Sequence, residues 1–387
     1  MPRPRFCRNP ACPYSHHSPP SGWLVRAGTY RTNAHGLVQR YRCTNCGKWM
    51  GNQTESMHYY ANRRLDLARI LSRVRGGSSL RDIGRELGCS RTAVANAVVR
   101  LGRQAMASHV DLIPALDLPG KFVFDGLVSA VTSHDYPSQI QTLVNRSHEL
   151  VLAMTHYVGE RGGRRTARQH TRIARKRAVW KPTPGALSES IALLVKELPR
   201  FAGHNKIIIH TDENPLYAST IEADLAMRWH KSAGRLSFRQ TPSTMPRTTW
   251  NPLFAVNYVD RMIRHRMKEH TRETIAVGEN ATMQMLRMWI FAWDHNVRQP
   301  YRVKDLGCGC RAIEAGASER HLNQLRREFY TRRRSVRRRR VPESMRAVWL
   351  SQLETPPVHW RKGGEQSGPA PTKYARVDLG FADQQGR

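Results

Sequence analysis

Three features of this 387-residue sequence predict a multidomain fold of the α+β class. Two close cysteine pairs stand in the first 46 residues, a stretch of helical periodicity follows, and strand-like and helical segments share the rest. They divide the chain into residues 1–60, 61–112, 118–300 and 301–387, with a basic insertion near 160–180.

Residues 1–60 are rich in Cys, His, Pro and Gly and have little hydrophobic periodicity, so the segment needs a staple to fold. Cys7 and Cys12 form one pair, and Cys43 and Cys46 form a second, followed by Gly47, which suits a tight knuckle. Structural zinc takes four thiolates in a tetrahedron, and two pairs on two turns supply them, as in a zinc ribbon. The plain alternatives are ordinary buried thiols, or His16 or His17 in place of Cys12. MPRPRFCRNP lacks the apolar core of a signal peptide, so the expected compartment is reducing, where cysteines bind metal more often than they pair. Cys89 reads as packed, and Cys308-Gly-Cys310 is too tight for a usual knuckle.

Leu65, Ala68, Leu71 and Val74 have helical spacing, and SLRDIGRELGCSRTAVANAVVRLGRQ follows. Leu80, Ile83 and Leu87 share one face, while Ser79 and Asp82 resemble a capping box. Gly88 allows a turn, Ser90 caps the next helix, and Val94, Val98 and Leu101 line its buried side. This is the helix-turn-helix pattern, in which the second helix enters the major groove of DNA. Arg91, Thr92 and Asn96 occupy its exposed positions, where Arg reads guanine and Asn reads adenine. A helical hairpin that only packs is the alternative.

The 63 Lys and Arg against 30 Asp and Glu leave a net charge of +33, which calls for a polyanionic partner. With the helix-turn-helix, that partner is expected to be double-stranded DNA. No apolar stretch approaches the roughly 18–20 residues of a membrane span, so a cytoplasmic, nucleoid-associated protein is expected. The basic stretch from Arg161 to Arg177 reads as an inserted loop or arm. The tail beyond about 305, with RRRSVRRRR and a polar, Gly-rich end, reads as basic and partly disordered without a partner.

Between residues 120 and 155, KFVFDG, QIQTLVN and ELVLAMTHY read as a meander of strands. PTPGALSESIALLVKELPRF reads as a helix ended by Pro199, KIIIH as a strand covered on both faces, and 251–270 and 279–296 as helices. Acidic residues are scarce, so their positions carry information. Asp125 ends the first strand run and Asp212 follows KIIIH, so neighbouring strands would bring the two carboxylates together. Divalent magnesium or manganese relieves such repulsion and serves phosphoryl transfer. Asp260 is the expected third ligand, with Arg264 and Lys268 one and two turns on along the same helical face, toward DNA phosphates. Glu269 and Glu273 are the other candidates for that third position. An Asp at a strand end is also a common turn or capping residue.

In CTNCGKWM, SLRDIGRELGCSRTAV, HTDENPLY, NYVDRMIRHRMKEHTRETIAVGENA and WIFAWDHN, the chain resembles the DDE-type transposases of small bacterial insertion sequences, over roughly residues 5–300. The resemblance implies a ribonuclease H-like core, a mixed sheet flanked by helices, with Asp125 and Asp212 as the first two acids of the triad. The third acid of such proteins is usually Glu, whereas Asp260 stands there in this chain. It further implies binding of element ends, strand cleavage, attack of the freed 3′-hydroxyl on target DNA, and a homodimer or larger assembly. A DNA-binding regulator without catalysis, and a metal-dependent nuclease sharing the core, are the rival readings.

Overall fold

The computed structural model describes residues 3–302, 304–305, 307–334 and 341–357. The chain opens with an antiparallel meander of β1 (Leu24–Thr32), β2 (Gly36–Cys43) and β3 (Trp49–Gly51). Its apolar core is small: Cys7, Cys12, Trp23, Leu24, Tyr41, Cys43 and Met50. Three of these seven are cysteines, so the thiols contribute much of what little interior the segment has.

Helices α1 (Leu67–Arg75), α2 (Leu80–Glu86) and α3 (Arg91–Leu112) follow. Each begins on a side-chain cap: Asp66, Ser79 and Ser90 accept from the backbone N–H three residues on. Gly88 turns the chain between α2 and α3 at φ +57°, a conformation that disfavours any side chain. Gly84 lets this turn close, because a Cβ there would stand 2.8 Å from the Cys89 carbonyl oxygen. α3 is longer than a helix-turn-helix requires. Its first turns expose Arg91, Thr92 and Asn96, whereas residues 101–110 are buried on every side.

A five-stranded sheet forms the centre, built from β4 (Lys121–Val131), β5 (Ser133–Asn145), β6 (Leu150–Val158) and, after α4 (Ala167–Val179), α5 (Ala186–Val195) and α6 (Leu198–Ala202), β7 (Ile207–Thr211). α7 (Pro215–Ala223) and α8 (Leu225–Ser232) then lead to β8 (Leu236–Gln240), and α9 (Phe254–Arg266) and α10 (Ala281–Val297) follow. The strand order is β6-β5-β4-β7-β8, with β4, β5 and β6 antiparallel and β7 and β8 parallel to β4. Alternation along β4 divides the interior: Phe122 and Phe124 join Ile191, Leu194, Ile207 and Ile209 on one face. Val123 and Leu127 join Leu101, Val259 and Trp289 on the other. α3 and α10 meet closely there, since a Cβ on Gly102 would lie 2.7 Å from Leu286. Residues of 61–112 and of 118–300 thus share one apolar cluster.

Several segments differ from their sequence reading. Pro199 opens α6 rather than closing a long helix, because proline suits a first turn. The Arg161–Arg177 stretch is no loose loop: α4 carries a Thr166–Gln169 capping box and docks on buried Asp135 through Arg172 and Lys176, each at 2.7 Å. Although burial opposes the charge, these two cations hold the Asp135 carboxyl down at about 2. Beyond residue 301, α11 (Arg311–Glu314), α12 (Glu319–Phe329) and α13 (Glu343–Leu350) are folded. Leu322, Leu325, Phe329 and Trp349 enter the main cluster, and Phe329 stacks on Trp293 with centroids 4.6 Å apart. These helices were not read from the sequence because the run of arginines masked the apolar spacing between them. The expectations for residues 335–340 and 358–387 lie outside the described residues. No described helix is long and apolar enough to cross a membrane.

Candidate metal centre and acidic cleft

The four N-terminal cysteines converge. Cys7, Cys12, Cys43 and Cys46 keep all their sulfurs within 4.8 Å of one another, and Cys7–Cys46 and Cys12–Cys43 are 3.4 and 3.9 Å apart. A tetrahedron with Zn–S near 2.3 Å sets its sulfurs about 3.8 Å apart, so the cluster could hold a metal ion such as zinc. The Asn9 N–H and the Asn45 side-chain amide point at Cys7 and Cys12 sulfur at 3.4 and 3.3 Å, as donors do toward thiolates. Burial pushes the Cys7 thiol up. Burial also opposes a Cys46 thiolate, but the Lys48 N–H, the Asn9 side chain and the neighbouring cysteines bring it down to about 7. His16 and His17 are exposed, and His16 bonds the Pro10 carbonyl instead. Among the described residues this is the one group of three or more Cys, His, Asp or Glu gathered so tightly.

The acids on the central sheet meet more loosely. β4 and β7 are in parallel register up to Val123 and His210, and continuing it by two residues sets Asp125 beside Asp212. Asp125 Oδ1 accepts from the Gly126 N–H at 2.7 Å, and Asp212 Oδ1 from the Asn214 N–H at 3.0 Å. Asp260 comes from α9, and its buried Oδ1 has no hydrogen-bond partner. Burial, then the charge of Asp212, raises Asp125; burial, then the charge of Asp125, raises Asp260 well above the carboxylate range.

Asp125 and Asp260 line a cleft of about 850 Å³ together with Arg247, Arg261, Arg264, Arg272, Tyr258 and Glu273. Asp212 is not part of that lining, although its field reaches Asp125. Of the other candidates for third acid, Glu269 is buried against Arg287 at 2.7 Å, whereas exposed Glu273 shares the cleft wall. Arg264 also lines the cleft, with its guanidinium donating to the His270 and Val128 carbonyls at 3.0 and 3.2 Å. Lys268 does not share its face: α9 ends at Arg266, and Lys268 begins a separate 3₁₀ turn, its stem beside Gly77. The helix stops because Met267 is extended, so helical spacing no longer applies.

At the head of α3, Thr92 and Asn96 are exposed. Arg91 is also exposed, and its guanidinium contacts Glu279 at 3.1 Å, ahead of α10. Sequence reasoning missed Tyr217 and Arg247. Tyr217 is buried on α7 and donates to Gln141 at 2.7 Å. Burial and the charges of Asp125, Asp212 and Asp260 all raise its phenol, so it stays neutral beside the three acids. The Asn214–Pro215 pair that caps α7 was a readable sign of a helix aiming Tyr217 inward. Arg247 sits in a loop without periodicity and left no sign. No known family model matches this chain, and a comparison with curated proteins finds no match.

Proposed function

We propose that the protein is a DDE-type DNA transposase that binds the ends of an insertion sequence and cuts and joins strands at the acidic cleft. The observation that carries this reading is the meeting of Asp125, Asp212 and Asp260 in one electrostatic neighbourhood, with an orphaned buried Asp260 oxygen, beside a cleft walled by arginines. A mixed sheet with helices on both faces agrees with the ribonuclease H-like core that the resemblance implies.

The three aspartates fit as holders of magnesium or manganese: all are acidic, Asp125 and Asp260 are desolvated and repelled by a neighbouring carboxylate, and Asp260 Oδ1 has no donor. When bound, such ions supply activation of an attacking oxygen and stabilisation of a leaving one. Arg247 and Arg264 neutralise the phosphate brought to the acids, and neutral Tyr217 with Gln141 keeps the β4 end of the site rigid. Thr92 and Asn96 read base edges from α3, joined by Arg91 once it exchanges Glu279 for DNA. The cysteine cluster, loaded with zinc, holds the N-terminal segment in shape. Two element ends call for a homodimer or larger assembly on nucleoid DNA. A nuclease would use the same acids, and strand joining separates the two.

The test is Asp212→Ala on DNA carrying the element's ends. Cleavage should fall more than about 100-fold, beyond the loss typical of disturbing a ligand's supporting contacts, while DNA affinity stays within about twofold. Undiminished cleavage would remove Asp212 from the site.

A further inference from the structure

Between β8 and α9 the chain runs through a thirteen-residue loop, 241–253, one side of which meets the acidic cleft: Arg247 lines it, and so does Phe254 directly after the loop. Trp250 stands in this loop with 89% of its surface exposed. Its ring has no aromatic, cationic or hydrogen-bonding partner among the described residues. The exposure does not come from a loose chain. Asn251, 5% exposed, donates to the Pro246 carbonyl at 2.9 Å and accepts from the Leu253 N–H at 2.8 Å. Its backbone bonds Thr248 and Phe254 at 3.1 and 2.9 Å. The loop is thus held from within by a buried amide, which leaves the indole on its outer side.

An indole kept in water is an unused apolar surface with a flat shape. Ser243, Thr244, Arg247, Thr248 and Thr249 of the same loop are polar and exposed, and Met245 is its other exposed large apolar side chain, so the apolar surface here is confined to two side chains in a polar segment rather than forming the broad patch that a protein partner buries. Trp250 lies in sequence between Arg247 and Phe254, both of which line the cleft together with Arg261, Arg264 and Arg272. A flat apolar ring on a polyanionic backbone meets both conditions, and a nucleobase offers its ring face only when it is unpaired.

We propose that Trp250 is a stacking platform for an unpaired nucleobase of the DNA strand held at the acidic cleft, with Arg247 on the phosphate next to that base. This rests on the reading of the cleft as a DNA site and adds what that reading lacks, a preference for an opened end. Capturing one base past the duplex holds the strand open where the aspartates meet it. Phe in place of Trp keeps a ring and most of the stacking; Ala removes it.

The test uses the full-length protein with its zinc in place and without magnesium or manganese, so that no strand is cut. Its affinity is compared for a duplex ending in three unpaired nucleotides and for the same duplex fully paired, with 2-aminopurine as the first unpaired base. The wild type should favour the opened end about tenfold, within the range of one base–aromatic stack, and quench the 2-aminopurine. Trp250→Phe should keep most of that preference, and Trp250→Ala should reduce it to about one and lose the quenching. At 89% exposure the side chain is outside the core, so both variants should melt with the wild type. An equal preference in wild type and Trp250→Ala overturns the proposal. So does a Trp250→Ala protein that changes oligomeric state in light scattering with its preference intact, since the indole then serves a protein interface. Cleavage with magnesium is scored separately: cleavage without end preference sinks the platform alone, and end preference without cleavage sinks the catalytic reading alone.

Discussion

Asp260 is a single residue whose burial works against the stability of the fold. Its Oδ1 is buried without a donor, and burial together with Asp125 raises its carboxyl. A raised carboxyl favours the protonated fold: the stabilising effect of protonation is fully present below the unfolded value, near 4, and is lost as pH rises through the folded one. At neutral pH without metal, the charged pair therefore costs stability. Asp260→Asn in chelator should raise Tm by about 2–4 °C, the response to roughly 1 kcal/mol in a domain of this size, and the gain should vanish toward pH 4. Magnesium should stabilise the wild type more than the variant. A lower Tm in Asp260→Asn at pH 7 would mean that the carboxylate is satisfied by a donor. The position of Asp260 was legible from its place in a helical pattern after the second acid. The surroundings of Glu269 and Glu273 were not, because only tertiary packing pairs Glu269 with Arg287 and leaves Glu273 at the cleft wall.

Among the elements, the N-terminal meander depends most on what it binds. Its buried cluster counts seven residues, three of them thiols, too few to offset the ordering of about 50 residues. Stripping the metal with a chelator, or Cys43→Ser, should melt β1–β3, seen as loss of amide protection there while β4–β6 stay protected. Persistent protection of β2 in zinc-free protein would show that the meander folds on its own. The convergence of the four cysteines was readable from spacing alone, since the geometry a metal would ask for is local. The length of α3 was not: periodicity announces its apolar side, but burial of residues 101–110 all round comes from α10, β6 and α13, all distant in sequence. The same limit hid α4, whose single buried apolar residue is Ile173 and whose fold depends on charges converging on Asp135.

At the scale of the whole molecule, α1 and α9 are tied to one framework. Buried Asp294 on α10 receives Arg75 of α1 at 3.0 Å and Arg266 of α9 at 3.9 Å, so the first helix of the 61–112 segment and the helix carrying Asp260 share an anchor. Against a net charge of +33 the chain has only 30 acidic residues, and the charges of Asp212 and Asp260 are near enough to Asp125 to interact with it. The most direct measurement is strand cleavage and joining on labelled DNA that carries the element's own ends, with magnesium or manganese against chelator. A transposase yields nicked ends and then metal-dependent joining of their 3′-hydroxyls to target DNA. Tight binding with no cleavage in either metal would contradict it and leave a DNA-binding regulator.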